Sequence, residues 1–212
     1  MLTGPRRTLL LLALALPALL ATTSAPSQAQ TPAAPVPAVT AADRTLGRAD
    51  APVTVIEYAS FTCHHCSDWH QFVFPLFKQR LIDTGQVRFV FRNLPTSPDS
   101  LSLPAAAMAR CAAPEKFFDV VSVLMRGQSA VLNGGRQEDW YDPAIAVSGR
   151  TRAQLTACAD LPATRAALER DINGAAAAGA TTTPAFFVNG RRVTDRSLGG
   201  LEVAVRAAAA AR

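Results

Sequence analysis

"APVTVIEYASFTCHHC", residues 51–66, decides how this chain reads. Its first eleven residues are β-branched and aromatic, the composition of a buried strand. Cys63-His64-His65-Cys66 follows at once. Beyond it, Trp69, Phe72, Val73, Leu76 and Phe77 recur at three- and four-residue spacing, which predicts a helix with one apolar face, kinked at Pro75. "DTGQ" (83–86) is a turn, and "VRFVFRNL" (87–94) a second strand. Strand, helix, strand is a βαβ unit, and the cysteine pair stands at the start of its helix.

The flanks extend this plan. From Asp99 to Gly179 the chain is helical and alanine-rich, with helices expected at "LPAAAMARCAA" (103–113), "EKFFDVVSVLMR" (115–126), "TRAQLTACAD" (151–160) and "ATRAALERDINGAAAA" (163–178). "NGGRQEDWYDP" (133–143) reads as a loop, which leaves Trp140 and Tyr141 without a role. "TTTPAFFVNGRRV" (181–193) is a hairpin around Asn-Gly, and a last helix is capped by Ser197 or Asp195. The expected architecture is α/β: one domain from residues 43–97 and 180–212, interrupted by a helical insertion over 98–179.

At the N-terminus, Arg6 and Arg7 precede an apolar run from Leu9 to about Leu20, followed by small residues. That is the grammar of a signal peptide over 1–29, cleaved after Ala29, with paired arginines that suggest a twin-arginine route. Residues 30–42 hold three prolines and read as a flexible tether. The formal charge is +5, or +3 without Arg6 and Arg7, and the basic residues are scattered, which argues against nucleic-acid binding. Export places the folded part where disulfides persist.

Three chemistries compete for Cys63-His64-His65-Cys66. A zinc site would use Cys63, Cys66 and His70. It lacks a fourth ligand of sound geometry, because Cys111 and Cys158 are single and far apart. A purely structural bridge would close too small a loop to stabilise much. A redox dithiol uses the position itself: unpaired N–H groups and the helix dipole favour thiolate over thiol. C-x-x-C cysteines at helix starts have pKa values of about 3.5–7.5, against ~8.5 for a free thiol. Cys63, nearer the exposed end, is then the nucleophile and Cys66 the resolving cysteine. His64 and His65 can each donate to the Cys63 sulfur. His70 reads as lining the helix surface.

"APVTVIEYASFTCHHC" followed by "TTPAFFVNG" resembles the DsbA-type thiol:disulfide oxidoreductases of the thioredoxin superfamily, from about Leu46 to the C-terminal helix. The resemblance implies a thioredoxin-like fold, βαβ then ββα, around the helical insertion. It implies a cis bond before Pro184, a substrate-facing backbone at Thr183, and a buried acid at Glu57 that takes the Cys66 proton. It also suggests a structural disulfide between Cys111 and Cys158. The implied activity is disulfide formation in exported, reduced polypeptides in the periplasm, by a monomer, without a cofactor. Reoxidation would fall to a membrane-bound, quinone-linked partner. The alternatives are an isomerase or reductase of the same fold, or a metal-binding C-x-x-C module. The chain departs from the family's usual pattern at His64, Thr182 and Ala185.

Overall fold

The strand expected at 51–61 forms because alternate residues suit two different faces. The structure, a computed structural model, describes residues 35–211 together with Met1 and Gly4. The expected signal peptide lies otherwise outside the described residues. The chain runs β1 (Arg44–Leu46), β2 (Val53–Ala59), α1 (His64–Asp68), a π-helical turn (Trp69–Val73), α2 (Phe74–Phe77), a second π turn (Lys78–Ile82) and β3 (Val87–Asn93). Five helices follow: α3 (Asp99–Cys111), α4 (Phe117–Leu132), α5 (Gln137–Val147), α6 (Arg152–Ala159) and α7 (Pro162–Ala177). Then come β4 (Ala185–Val188), β5 (Arg191–Val193) and α8 (Leu198–Ala210).

The sheet order is β1-β3-β2-β4-β5. β2 and β3 are parallel, and every other neighbouring pair is antiparallel. This is the thioredoxin-like arrangement with an α-helical insertion between β3 and β4. The two-residue period of the strands sorts their side chains. Val53, Val55, Val87, Phe89, Phe91, Phe186 and Val188 face the main core with Trp69, Phe77, α3–α5 and α8. Ile56, Tyr58, Val90, Ala185 and Phe187 face a smaller core beneath the end of α7. At the Asn189-Gly190 turn both residues have positive φ (44° and 80°), which twists the hairpin the way its strands twist. Ser197, not Asp195, caps α8, accepting the Gly200 N–H at 3.1 Å, while Asp195 accepts from the Ser197 N–H.

Three local expectations are corrected, and one strand is added. Residues 133–143 are not a continuous loop. α5 begins at Gln137, and Trp140 is buried with its indole N–H donating to the Leu124 carbonyl at 2.8 Å. Gly134-Gly135 and Pro143 signal a break, but packing of Trp140, Tyr141 and Ala144 outweighs them. The tether is not free over residues 35–42. Val36 and Val39 pack on the smaller core, and Arg92 donates to the carbonyls of Pro37 (2.9 Å) and Ala38 (3.1 Å). β1, three residues with no strong strand signature, pairs with β3. Finally, the helix after the dithiol does not keep a 3.6-residue period. It holds two π turns, and its buried face runs through Cys66, His70 and Phe77, so Phe72 is 73% exposed and Leu76 43% exposed while His70 is buried. In the first π turn the Phe74 N–H reaches back to the Trp69 carbonyl just before Pro75, which has no N–H to give.

Candidate active site

The site is built where β2 hands over to α1. Cys63 is the N-cap of α1, with extended backbone (φ −88°, ψ 114°), and its carbonyl accepts the N–H groups of Cys66 (3.0 Å) and Ser67 (3.1 Å). The sulfur sits at the open end of the helix, partly exposed. Cys66, inside the first turn, is fully buried. Both are free thiols in this structure.

The loop that presents them is pinned from two sides. Ser60 Oγ accepts the N–H groups of Thr62 (3.2 Å) and Thr96 (3.0 Å), and Thr62 Oγ1 donates to the Thr96 carbonyl at 2.8 Å. From α4, Gln128 donates to the Phe61 carbonyl at 2.6 Å, and the Met125 carbonyl accepts the Ser67 hydroxyl at 2.6 Å. None of these contacts is visible in the sequence, because each joins residues 34 or more apart or an unremarkable serine to a loop amide.

Thr183 and Pro184 arrive from the other end of the chain. The Thr183-Pro184 bond is cis, and so is Ser97-Pro98, which carried no expectation. Cys63 Sγ lies 3.4 Å from the Thr183 carbonyl oxygen, across a sequence separation of 120. Thr182, Thr183, Pro184 and Ala185 line an open cleft of about 360 Å³ with His65, Arg192 and Arg196. A second cleft of about 320 Å³ runs on from Pro184 and His65 along Trp69, Phe72 and Val73. The exposed Phe72 is therefore a groove wall. Trp69 closes the back, donating from its indole to the Arg196 carbonyl at 3.0 Å and packing on Phe186, ring centroids 4.7 Å apart.

The two sulfurs are electrostatically unlike. The Cys63 pKa is pulled down from 9.0 to about 5, first by the hydrogen bond from the Cys66 thiol. Burial opposes this, and the Thr183 side chain and the backbone N–H groups of Cys66 and His65 add to it. Burial pushes the Cys66 thiol far up, helped by its bond to Cys63 and by the charges of Glu57 and Cys63. The structure departs here from one expectation. Both imidazoles are exposed and lie against each other, ring centroids 4.0 Å apart. Among the described residues neither ring hydrogen-bonds Cys63 Sγ. His65 contributes its backbone instead.

Glu57 is wholly buried on β2, between Phe91 and Phe186 in the sheet. Its Oε2 is 2.9 Å from His70 Nε2, and its Oε1 has no hydrogen-bond partner among the described residues. His70 is thus in the core rather than on the helix surface. The available signal was its place four residues after Cys66, on the same helical face. Cys111 and Cys158 are bonded to each other, S–S 2.05 Å, joining α3 to α6. Among the described residues no group of three or more His, Cys, Asp or Glu side chains is placed to hold a metal ion.

A dithiol at a helix start, backed by a cis X-Pro bond on a mixed five-stranded sheet, defines the thioredoxin class. The chain belongs to the thioredoxin family, whose model matches residues 40–206. It is 29% identical over 165 residues to a Rickettsia prowazekii protein named "Putative protein-disulfide oxidoreductase", covering 77% of this chain and 60% of that one. The chain spans about 60% of the length of the first curated relatives it matches. In fold it is similar to BdbD from Bacillus subtilis, with a TM-score of 0.71 at 20% identity over 85% of this chain and all of that one. It is also similar to alpha-DsbA1 of Wolbachia pipientis, with a TM-score of 0.70 at 26% identity over 80% of this chain and 92% of that one.

Proposed function

We propose that this protein is a periplasmic thiol:disulfide oxidoreductase that introduces disulfides into reduced, exported polypeptides. The observation that carries the reading is the asymmetry of the pair: Cys63 ionised at a helix start beside Thr183-Pro184, and Cys66 buried and protonated. A substrate thiolate attacks Cys63 Sγ of the oxidised pair, the Cys63–Cys66 bond breaks, and Cys66 leaves and takes up a proton. A second substrate thiolate then attacks the substrate sulfur of the mixed disulfide and releases Cys63 as thiolate. The substrate loses two electrons and becomes a disulfide, and the enzyme dithiol gains them. Thr183 offers its backbone to an extended segment lying in the cleft, and Pro184 and Phe72 form the cleft's walls. Glu57 exchanges the Cys66 proton. Cys111–Cys158 acts as a structural brace.

Direction follows from the thiolate. Strongly oxidising and reducing C-x-x-C proteins differ by about 3.5 units in nucleophile pKa and by ~150 mV in potential. A Cys63 pKa of about 5 lies on the oxidising side of thioredoxin's ~7. A stable thiolate is a good leaving group and favours the reduced enzyme, so electrons flow from substrate to protein. The reduced pair is then reoxidised by a quinone-linked membrane partner.

Equilibration against a glutathione series tests this. A potential well above that of thioredoxin, at ~−270 mV, with loss of all exchange in Cys63→Ser, is expected. A potential at or below thioredoxin's would sink the oxidant assignment and leave a reductase.

A further inference from the structure

The mechanism needs a proton for Cys66 each time the Cys63–Cys66 bond opens, in a place sealed from solvent. Cys66 is fully buried, so its thiolate cannot be met by water directly. Two buried titratable groups lie close by: Glu57, whose charge acts on Cys66, and His70, four residues beyond Cys66 along the same helical run, with side chains 0% and 2% exposed. Their 2.9 Å bond uses Glu57 Oε2 and leaves Oε1 without a partner. A carboxylate buried among Phe91 and Phe186 would be costly alone. Among the described residues, His70 is the hydrogen-bond partner of that carboxylate, and its imidazole can share a proton with it.

We propose that His70 is a positioning residue of the exchange reaction: its Nε2 holds Glu57 by Oε2 beneath the dithiol and keeps one proton within the pair for delivery to Cys66. This rests on the oxidoreductase reading above. When the Cys63–Cys66 bond breaks, its electron pair goes to Cys66 Sγ, and the pair supplies the proton. In the reverse direction the pair takes the Cys66 proton as Cys66 attacks a mixed disulfide at Cys63. The pair recovers its proton when the dithiol is reoxidised and Cys66 gives that proton up, so no other reactant is required.

The surroundings leave few competitors. The rings against His70 are Trp69 and Phe74 on its own helical run and Phe91 on β3, none of which carries charge. β4 contributes Phe186, behind Trp69. α4 contributes Met125, whose carbonyl accepts from Ser67 on α1, and Gln128, which donates to the Phe61 carbonyl; neither side chain is ionisable. The ionisable side chains among these described residues are Glu57, His70, Cys66 and Cys63.

The test uses the mixed disulfide of Cys63 with glutathione and follows glutathione release, by attack of Cys66, as a function of pH. Glutamine at position 70 keeps an amide donor for Glu57 but cannot titrate. His70→Gln is expected to slow release about tenfold near neutral pH and to change the shape of the pH–rate profile. Glu57→Gln should slow the same step. The double variant should be no slower than the slower single variant, because the two residues act as one unit. Superimposable profiles for His70→Gln and wild type, or multiplicative losses in the double variant, overturn the proposal. Should His70→Gln fail to fold, nitrogen NMR of the wild-type His70 ring decides. Its titration midpoint is expected to differ between oxidised and reduced protein, and coincident titrations overturn the role. Wild-type protein that forms no mixed disulfide at all overturns the oxidoreductase reading itself.

Discussion

Cys63 shows how much of a residue's chemistry comes from its neighbours. The largest pull on its pKa is the Cys66 thiol, so Cys66→Ala is expected to move the Cys63 midpoint upward from about 5. Thiolate absorbance against pH measures this, and an unmoved midpoint would mean that the helix start alone holds the charge. The same depression has a consequence for stability. Because the folded pKa lies below the unfolded 9.0, the unfolded chain binds more protons between the two values. The contribution to the reduced protein is therefore complete above about 9 and disappears as pH falls through about 5. The gap in melting temperature between reduced and oxidised protein should shift in favour of the reduced form as pH rises across that window. Asp43 is a second case. Burial pushes its pKa up, but the hydrogen bond from Arg92, the Thr40 N–H and the Arg92 charge bring it below the usual carboxylate range. The pair is buried at 2.8 Å. Asp43→Ala strands the guanidinium, and a loss of about 3 kcal/mol in urea unfolding is expected.

Among the elements, the helical run after the dithiol carries the clearest lesson. Its apolar residues are spaced as an α-helix would space them, yet the run holds two π turns and not all of those residues are buried. His70, four residues after Cys66, shares its buried face, while Phe72 lies on the other side of the run at the cleft. Phe72→Ser should therefore cost little stability, within about 0.5 kcal/mol as for other surface sites. Its measurable effect should be on KM for a peptide substrate. β1 depends on a different feature. Gly47, which ends it, has φ +92°, and a Cβ there would lie 2.6 Å from the Val87 carbonyl oxygen. Gly47→Ala is expected to destabilise by about 2 kcal/mol or more, through both strained backbone and a backbone contact that cannot give way. Denaturant unfolding would show it, and a neutral result would mean that β1 can detach without loss.

At the scale of the molecule, contacts between distant segments tie the helices to the sheet and to one another. Residues 35–211 belong to one compact unit. Within it, α4 holds the dithiol loop from above, and Cys111–Cys158 clamps α3 to α6 over a separation of 47 residues. Removing this bridge as Cys111→Ala with Cys158→Ala should cost about 2–4 kcal/mol by the loop-closure argument. Chemical denaturation of the double variant checks it. A loss near zero would mean that packing of α3 on α6 and α7 suffices alone.

What could be read from residue order was whatever local rules decide. Strand composition, cysteine spacing and an Asn-Gly turn act over a few residues, and they determined the βαβ start, the dithiol at the helix N-terminus and the closing hairpin. The helix at 137–147, the buried pair Glu57–His70, the contact of Thr183 with Cys63 and the outward-facing histidine rings beside it depended on the tertiary structure. Each turns on desolvation or on a contact between distant segments. Burial is a property of the packed whole, so no local pattern states which charge loses its water or which partner it meets.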